Sequence, residues 1–540
     1  MIVKLIMILV FFAITILVGI LSSRSAKGVD GFVLGGRSVG PWLTAFSFGT
    51  SYFSAVIFIG YAGRFGWNFG LASTWIGLGN AFIGSLLAWV VLGRRTRIMT
   101  QHLGSRTMPD FFGLRFESKA LRLVAAVIVF VFLIPYTASL FNGLSWLFSA
   151  SFADVPYWGW VVIMAVLTGV YVIVGGYMGS AINNFIQGII MLVGIVAVVA
   201  AVMSSNGGLT EAIAKLSEDS TTTAAGTQFN GAYTSFLGPH PLQLLGVVVL
   251  TSLGTWGLPQ MVGKFYAIKD EGAIQKGTII STVFAVVVAG GCYFLGGFGR
   301  LYADTAPASF DTLIPTMLSS VEAGMGGAGA WLVGLVLILV LAASMSTLSS
   351  LAMTSASTIT LDLIVPLSKK QRSDKRNLLT VRVLIGISVV IAAAIAICVK
   401  YGGDWVKQLY ISELMGISWG ALAGCFLAPF LYGLFWKKVT KPAVWVSFVT
   451  GLVITVGQFV TNSIIAPKIP GFYDGMNSAL KYFLTSSINA GMLAMLVGLV
   501  MVPVVSLLTR KHVPSKVNDM FACYKKEVTV SVMSSLEEEK

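Results

Sequence analysis

Thirteen mostly apolar stretches recur along the 540-residue chain, at 2–22, 41–66, 70–92, 121–147, 156–175, 184–203, 241–265, 277–299, 329–360, 378–399, 407–436, 442–461 and 484–508. A helix crosses the hydrocarbon core with about 20 such residues. Inside lipid each segment has to satisfy its own backbone, which favours helices. The pattern therefore predicts an all-α integral membrane protein with about 13 spans. The second half of 329–360 is polar but uncharged, which suits a helix buried among others. The run Val3–Leu21 is too long for a signal-peptide core and lacks an A-x-A cleavage site, so it reads as a retained span. Composition agrees: 56% of residues are hydrophobic and 11% charged, whereas soluble domains carry about 25% charged residues. An ordinary cytosolic enzyme, a disordered chain and a disulfide-rich secreted module are excluded. The four cysteines (Cys292, Cys398, Cys425, Cys523) form no C-x-x-C or zinc spacing and read as small buried hydrophobes.

Assigning Lys and Arg to alternate sides places 28 of the 36 on one side. The positive-inside rule makes that side cytoplasmic. The N-terminus is then outside, the C-terminus inside, and the chain a multi-pass protein of the plasma membrane. The loops near 204–240, 300–328 and 462–483 face outward. Residues 1–510 form the membrane domain, and 511–540 a cytoplasmic tail with a terminal acidic run. Topology accounts for the net charge of +14, and no nucleic-acid partner is implied. The partners expected are a small-molecule substrate and the lipid bilayer, with no obligatory protein partner evident.

Two spans contain interruptions of the kind that expose backbone carbonyls at mid-depth. The first is Gly49-Thr50-Ser51-Tyr52-Phe53-Ser54-Ala55; the second is Gly254-Thr255-Trp256-Gly257-Leu258-Pro259. They lie five spans apart, the offset of two five-helix halves repeated with inverted topology. Gly and Pro are also common in membrane helices without such a role. A third segment, within 329–360, puts Ala343, Ser346, Thr347, Ser350 and Thr354 on one helical face. Small and hydroxylated residues serve helix packing, but they also supply neutral oxygens for a hard cation.

Of the acids, only Glu413 falls inside a predicted span, near its outer end, with Asp362 just past the cytoplasmic end of another. His102, His240 and His512 lie in loops or at span edges. Proton relays usually need intramembrane Asp, Glu or His; neutral oxygens at mid-depth favour sodium instead. Glu413 reads either as a helix-terminal charge stabilised by the dipole or as an outer residue attracting cations.

These segments resemble the sodium/solute symporter family, in its proline, pantothenate and monocarboxylate branch. Gly31–Ala55 (GFVLGGRSVGPWLTAFSFGTSYFSA) looks like its entry to the first core helix, and Arg106–Phe116 like the loop after the second. Met345–Leu363 resembles its sodium-binding eighth core helix, and Phe426–Trp445 the end of its tenth. The resemblance runs in order over roughly residues 30–510. It implies a leucine-transporter type of fold with a five-plus-five inverted-repeat core over 41–436, one extra helix at 2–22 before it and two at 442–508 after it. It also implies a sodium ion held by backbone carbonyls of Thr50, Phe53 and Ala343 and hydroxyls of Ser346 and Thr347. Some relatives carry an Asp for a further cation in a W-T-D-x-x-Q pattern. Here the stretch reads INNFIQ, with Asn184 in place of the acid, so one sodium per cycle is expected.

The resemblance further implies a solute site beside Ser54, Val56, Tyr136, Thr255, Trp256 and Pro259, although Tyr136 and Trp256 also suit plain helix packing. The D-M-S-G-W of proline carriers becomes Tyr52-Phe53-Ser54-Ala55-Val56, so the pocket is related but altered. The function expected is a sodium-coupled secondary active symporter that imports a small polar organic solute, an amino acid such as proline or a carboxylate, by alternating access. The alternatives are a proton-coupled symporter or a sugar-type sodium symporter. A membrane-embedded enzyme lacks a catalytic constellation, an ATP-driven pump lacks its G-x-x-x-x-G-K-[ST], and a sodium channel would need a filter or charged ring.

Overall fold

The computed structural model of the chain describes residues 2–22, 28–222, 228–307, 309–369, 372–403 and 411–525. The first residues of the expected span 407–436 and the acidic end of the tail lie outside the described residues. So do Arg24, Lys27, Lys370, Lys407, Lys526 and Lys540. Ten of the described helices are long and apolar enough to cross a membrane, or eleven with one bent pair. In chain order they are α1 (Ile2–Ser22), the run α3 (Val56–Leu103) after the shorter α2 (Pro41–Tyr52), α4 (Lys119–Ser151) and α5 (Tyr157–Ser205). The bent pair follows, α6 (Pro241–Gly257) and α7 (Pro259–Ala267), meeting at 45°. Then come α8 (Glu271–Gly296), α9 (Gly327–Leu367), α10 (Asp374–Tyr401), α11 (Ile411–Phe435), α12 (Lys441–Lys468) and α13 (Ser487–Leu508).

Two runs are too long for one crossing. At 1.5 Å per residue, the 48 residues of α3 and the 49 of α5 each reach about 70 Å, twice the hydrocarbon thickness. Each is interrupted by a glycine outside helical φ/ψ: Gly70 (φ 60°, ψ −138°) and Gly176 (φ 58°, ψ −158°). Side chains avoid this backbone region and glycine does not. The expected spans 156–175 and 184–203 thus join without a loop, and one residue makes the break.

The interior is built around α11 and α9, whose most apolar windows are 89% and 72% buried, whereas α1 is 28% buried and presents most of its surface outward. α1 is tied to α5 by the Asn183 amide donating to the Thr15 carbonyl (3.1 Å).

The structure corrects three expectations and adds contacts at the start of the tail. The stretch 204–240 contains a helix, Leu209–Glu218, and an antiparallel hairpin pairing Ser220–Thr222 with Gln228–Asn230, so the chain is mostly helical rather than purely so. The stretch 300–328 contains the helix Leu313–Gly324. The span expected to stop at 360 continues through Leu367 by way of a π-helical turn, so Asp362 lies within the helix and is buried. Finally, the start of the tail is packed. Glu117 accepts hydrogen bonds from the backbone N–H groups of Ser515 (3.1 Å) and Lys516 (3.0 Å), and the Arg95 guanidinium lies between the rings of Phe435 (4.2 Å) and Tyr524 (4.7 Å).

Candidate functional site

The helix α2 starts with Pro41 in its first turn and stops at Tyr52, where Phe53 turns extended (φ −103°, ψ 113°). Its last helical bond runs from the Phe53 N–H to the Gly49 carbonyl (3.1 Å). The chain restarts when the Ser54 carbonyl accepts Ile57 and Phe58 (both 3.0 Å). The Ala55 N–H leaves the helix pattern and donates to Ser344 Oγ (3.1 Å). This break frees the carbonyls of Thr50 and Ser51 toward α9.

Facing them, Ser346 Oγ donates toward the carbonyls of Thr50 (2.8 Å) and Ala343 (2.8 Å). Thr347 Oγ1 lies within reach of Thr50 O (3.1 Å), Ala343 O (3.0 Å) and Ser51 O (3.4 Å). Thr50, Ser346 and Thr347 are fully buried. Four of the five expected ligands, Thr50, Ala343, Ser346 and Thr347, therefore form one cluster of neutral oxygens; Phe53 forms the turn beside it. A hydroxyl has lone pairs as well as a proton, so rotation of both hydroxyls would turn the cluster from a self-bonded set into an accepting set of neutral oxygens. Hard cations prefer such oxygens. On α5, the side-chain amides of Asn184 and Gln187 are buried without hydrogen-bond partners.

At the second break Leu258 is extended (φ −87°, ψ 118°) and Pro259 opens α7. Thr255 Oγ1 donates to Gly84 O (3.1 Å) and Ser252 O (2.9 Å), and Trp256 Nε1 to Ile83 O (3.0 Å). Both side chains are thus spent on neighbouring backbone. Tyr52 joins the two breaks, its hydroxyl donating to the Thr251 carbonyl (2.5 Å). Ser54 Oγ accepts the Val56 N–H (3.3 Å). Tyr136 stands edge-on to Trp419 (5.9 Å), its hydroxyl beside Ser54 and Trp419 without a well-formed hydrogen bond. Ser54, Val56 and Tyr136 thus gather near one break, whereas Thr255 and Trp256 turn toward α3.

The two faces of the molecule differ. On the face poor in Lys and Arg, Arg64 of α3 pairs with Glu413 in the first turn of α11 (2.6 Å). Ser412 (2.6 Å to Arg64) and Ser487 (2.6 Å to Glu413) complete the cluster, and Asp311 caps the Ile411 N–H (3.3 Å). Glu413 is therefore held by an arginine in addition to standing in the first turn of its helix. On the basic face lies a small cavity of about 60 Å³, bounded by Ser47 of α2, Tyr177 and Ser180 of α5, Gln260 and Lys264 of α7, Ser350 of α9 and the segment Arg106–Met108. Ser350 Oγ bonds Ser51 Oγ (2.7 Å) and lies 3.2 Å from the Ser346 carbonyl, so the cavity ends one helical turn from the oxygen cluster. Beside it, Arg122 bridges Asp110 (3.0 Å) and Asp362 (2.9 Å). In the sequence, Lys264 and Arg64 are distinguished only as charges on opposite sides of the membrane. The sequence hint for Lys264 was its place within a turn or two of the broken Leu258-Pro259.

A profile of the sodium:solute symporter family matches residues 32–451. The chain belongs to that family. It is a transporter of this family and not an enzyme. Among curated relatives, the sodium/proline symporter of Staphylococcus aureus is 28% identical over 464 residues, covering 84% of each chain. The same-named protein of strain NCTC 8325 / PS 47 is 28% identical over 465 residues, 84% of this chain and 85% of its own. Among solved structures, the substrate-bound, outward-open Na⁺-coupled sialic acid symporter superposes with a TM-score of 0.69 at 15% identity, over 94% of this chain and 98% of its own. MhsT in complex with L-phenylalanine gives 0.51 at 14% identity, over 86% and 98%. At these identities the likeness establishes the fold, that of leucine-transporter-type carriers.

Proposed function

We propose that this family member is a sodium-coupled secondary active symporter that imports a small polar organic solute, an amino acid such as proline or a carboxylate, by alternating access across the plasma membrane. The observation that carries the reading is the buried cluster of Thr50, Ala343, Ser346 and Thr347 oxygens at a helix break, free of any formal negative charge. The sodium ion is taken by these oxygens together with the Phe53 carbonyl, one ion per cycle, with Asn184 where some relatives carry an acid. Binding draws α2 and α9 together in a state open to the outside. The solute then binds beside Ser54, Val56, Tyr136, Thr255, Trp256 and Pro259, and inward opening releases both. The relatives named for sodium/proline symport support the choice of solute class.

Orientation and span number belong to the same reading. The basic face is cytoplasmic, with the N-terminus outside and the C-terminus inside. Splitting α5 at Gly176 and α3 at Gly70, with α2 joined to the first part of α3 as one broken span, brings the eleven candidates to thirteen. The breaks in α2–α3 and α6–α7 then occupy equivalent places in two inverted five-helix halves. The ion pair Arg64–Glu413 closes the outer side and the basic-face cavity is the inner vestibule.

The test is uptake of radiolabelled proline and pyruvate into proteoliposomes under an inward sodium gradient. Accumulation above equilibrium that collapses with choline in place of sodium is the expected result. Uptake that ignores sodium and follows an imposed pH gradient would replace sodium by the proton, and a sodium current without solute would make the protein a channel.

A further inference from the structure

Lys264 carries a buried amine (6% exposed) that forms no ion pair with an acid among the described residues. Its described contacts are the Ser350 hydroxyl (2.9 Å) and the face of the Tyr177 ring (5.4 Å). None of the residues lining the cavity it faces is an Asp or Glu. The other cation there, Arg106, is already balanced by Asp30 (2.8 Å). One turn along α5 from Ser180, position 184 holds an amide. A desolvated amine holds its proton firmly only when an anion lies beside it, so a lysine on an acid-free cavity wall favours an arriving anion over a neutral group.

The rest of the wall has the same chemistry. Ser47 Oγ, Tyr177 OH, Ser180 Oγ, Thr358 Oγ1 and both polar atoms of Gln260 are buried at the cavity with no hydrogen-bond partner. Hydroxyl and amide N–H donors around one ammonium match the two oxygens of a carboxylate.

We propose that this cavity binds the carboxylate group of the transported solute on its way to the basic face, with Lys264 as its counter-ion. The proposal rests on the symport reading. It adds a physical reason for coupling. A sodium ion at Ser346 and a protonated Lys264 at Ser350 would sit on adjacent turns of α9 and repel in a low-dielectric interior. An anion beside Lys264 removes that repulsion, so ion and solute pass the same stretch together.

The experiment is a thermal-shift series on the purified full-length protein in lipid nanodiscs with sodium. The probes are acetate, pyruvate and L-proline, their amides acetamide, pyruvamide and L-prolinamide, and D-glucose. At least one acid is expected to stabilise the wild type while its amide does not. Lys264→Met should weaken that acid's binding at least about ten-fold, the loss of one charge-assisted contact, whereas Lys264→Arg keeps it. The sodium-induced shift should persist in both variants. Equal stabilisation by acid and amide, by glucose alone, or by no acid overturns the proposal, and that comparison needs no variant. So does Lys264→Met with undiminished acid binding. Failure of the symport reading looks different: acids bind through Lys264, but a sodium gradient accumulates none of them.

Discussion

Tyr136 carries a buried hydroxyl beside Ser54 and Trp419 that lacks a sound hydrogen bond. An unsatisfied buried hydroxyl costs about 1–3 kcal/mol. Tyr136→Phe should therefore leave the melting temperature unchanged or raised, while the KM for solute rises several-fold. A lower melting temperature with unchanged KM would assign Tyr136 to packing. At this scale the sequence was informative where chemistry repeats along a helix. Ala343, Ser346 and Thr347 share a face by spacing alone, and they meet Thr50 in the fold. It was silent where meaning depends on burial. Lys264 and Arg64 read as charges near span ends until packing showed one unpaired inside a cavity and the other bound to Glu413.

Between elements, two neighbouring contacts of α3 are of opposite kinds. α3 and α11 are locked by Arg64–Glu413, whose side chains remain 22% and 14% exposed. Allowing for that exposure, the pair holds α3 against α11 by about 1–3 kcal/mol. Glu413→Gln should loosen it, seen as roughly ten-fold faster hydrogen exchange over 56–69 and 411–418; unchanged exchange there would deny the pair its role. α3 and α8 instead meet through backbone. A Cβ at Gly66 would lie 1.9 Å from the Gly296 carbonyl, while one at Gly169 in α5 meets nothing within 4 Å. Gly66→Ala should cost about 1–3 kcal/mol by overpacking, whereas Gly169→Ala should be neutral or slightly stabilising. Paired melting curves check this, and equal losses would contradict the close contact. Such element pairings were hidden in the sequence. Glycine marked both the breaks that were foreseen and the one at Gly176 that was not, because glycine also serves simple helix packing.

For the whole molecule, the apolar runs were legible because a bilayer sets one length scale for every span. The structure added what length cannot carry: α5 turning on one glycine, α9 running on to Leu367 with Asp362 inside it, and the start of the tail clasped by Glu117. The central claim is that sodium is bound at lipid depth by neutral oxygens where a broken helix meets a hydroxyl-lined one. Its most direct measurement is a melting titration of wild type and the Ser346→Ala/Thr347→Ala double variant, exchanging choline chloride for sodium chloride at constant ionic strength. The wild type should gain about 2.7 kcal/mol when sodium reaches a hundred times its dissociation constant, and the folded double variant should show no sodium response. A double variant that sodium stabilises as strongly as the wild type would contradict the account.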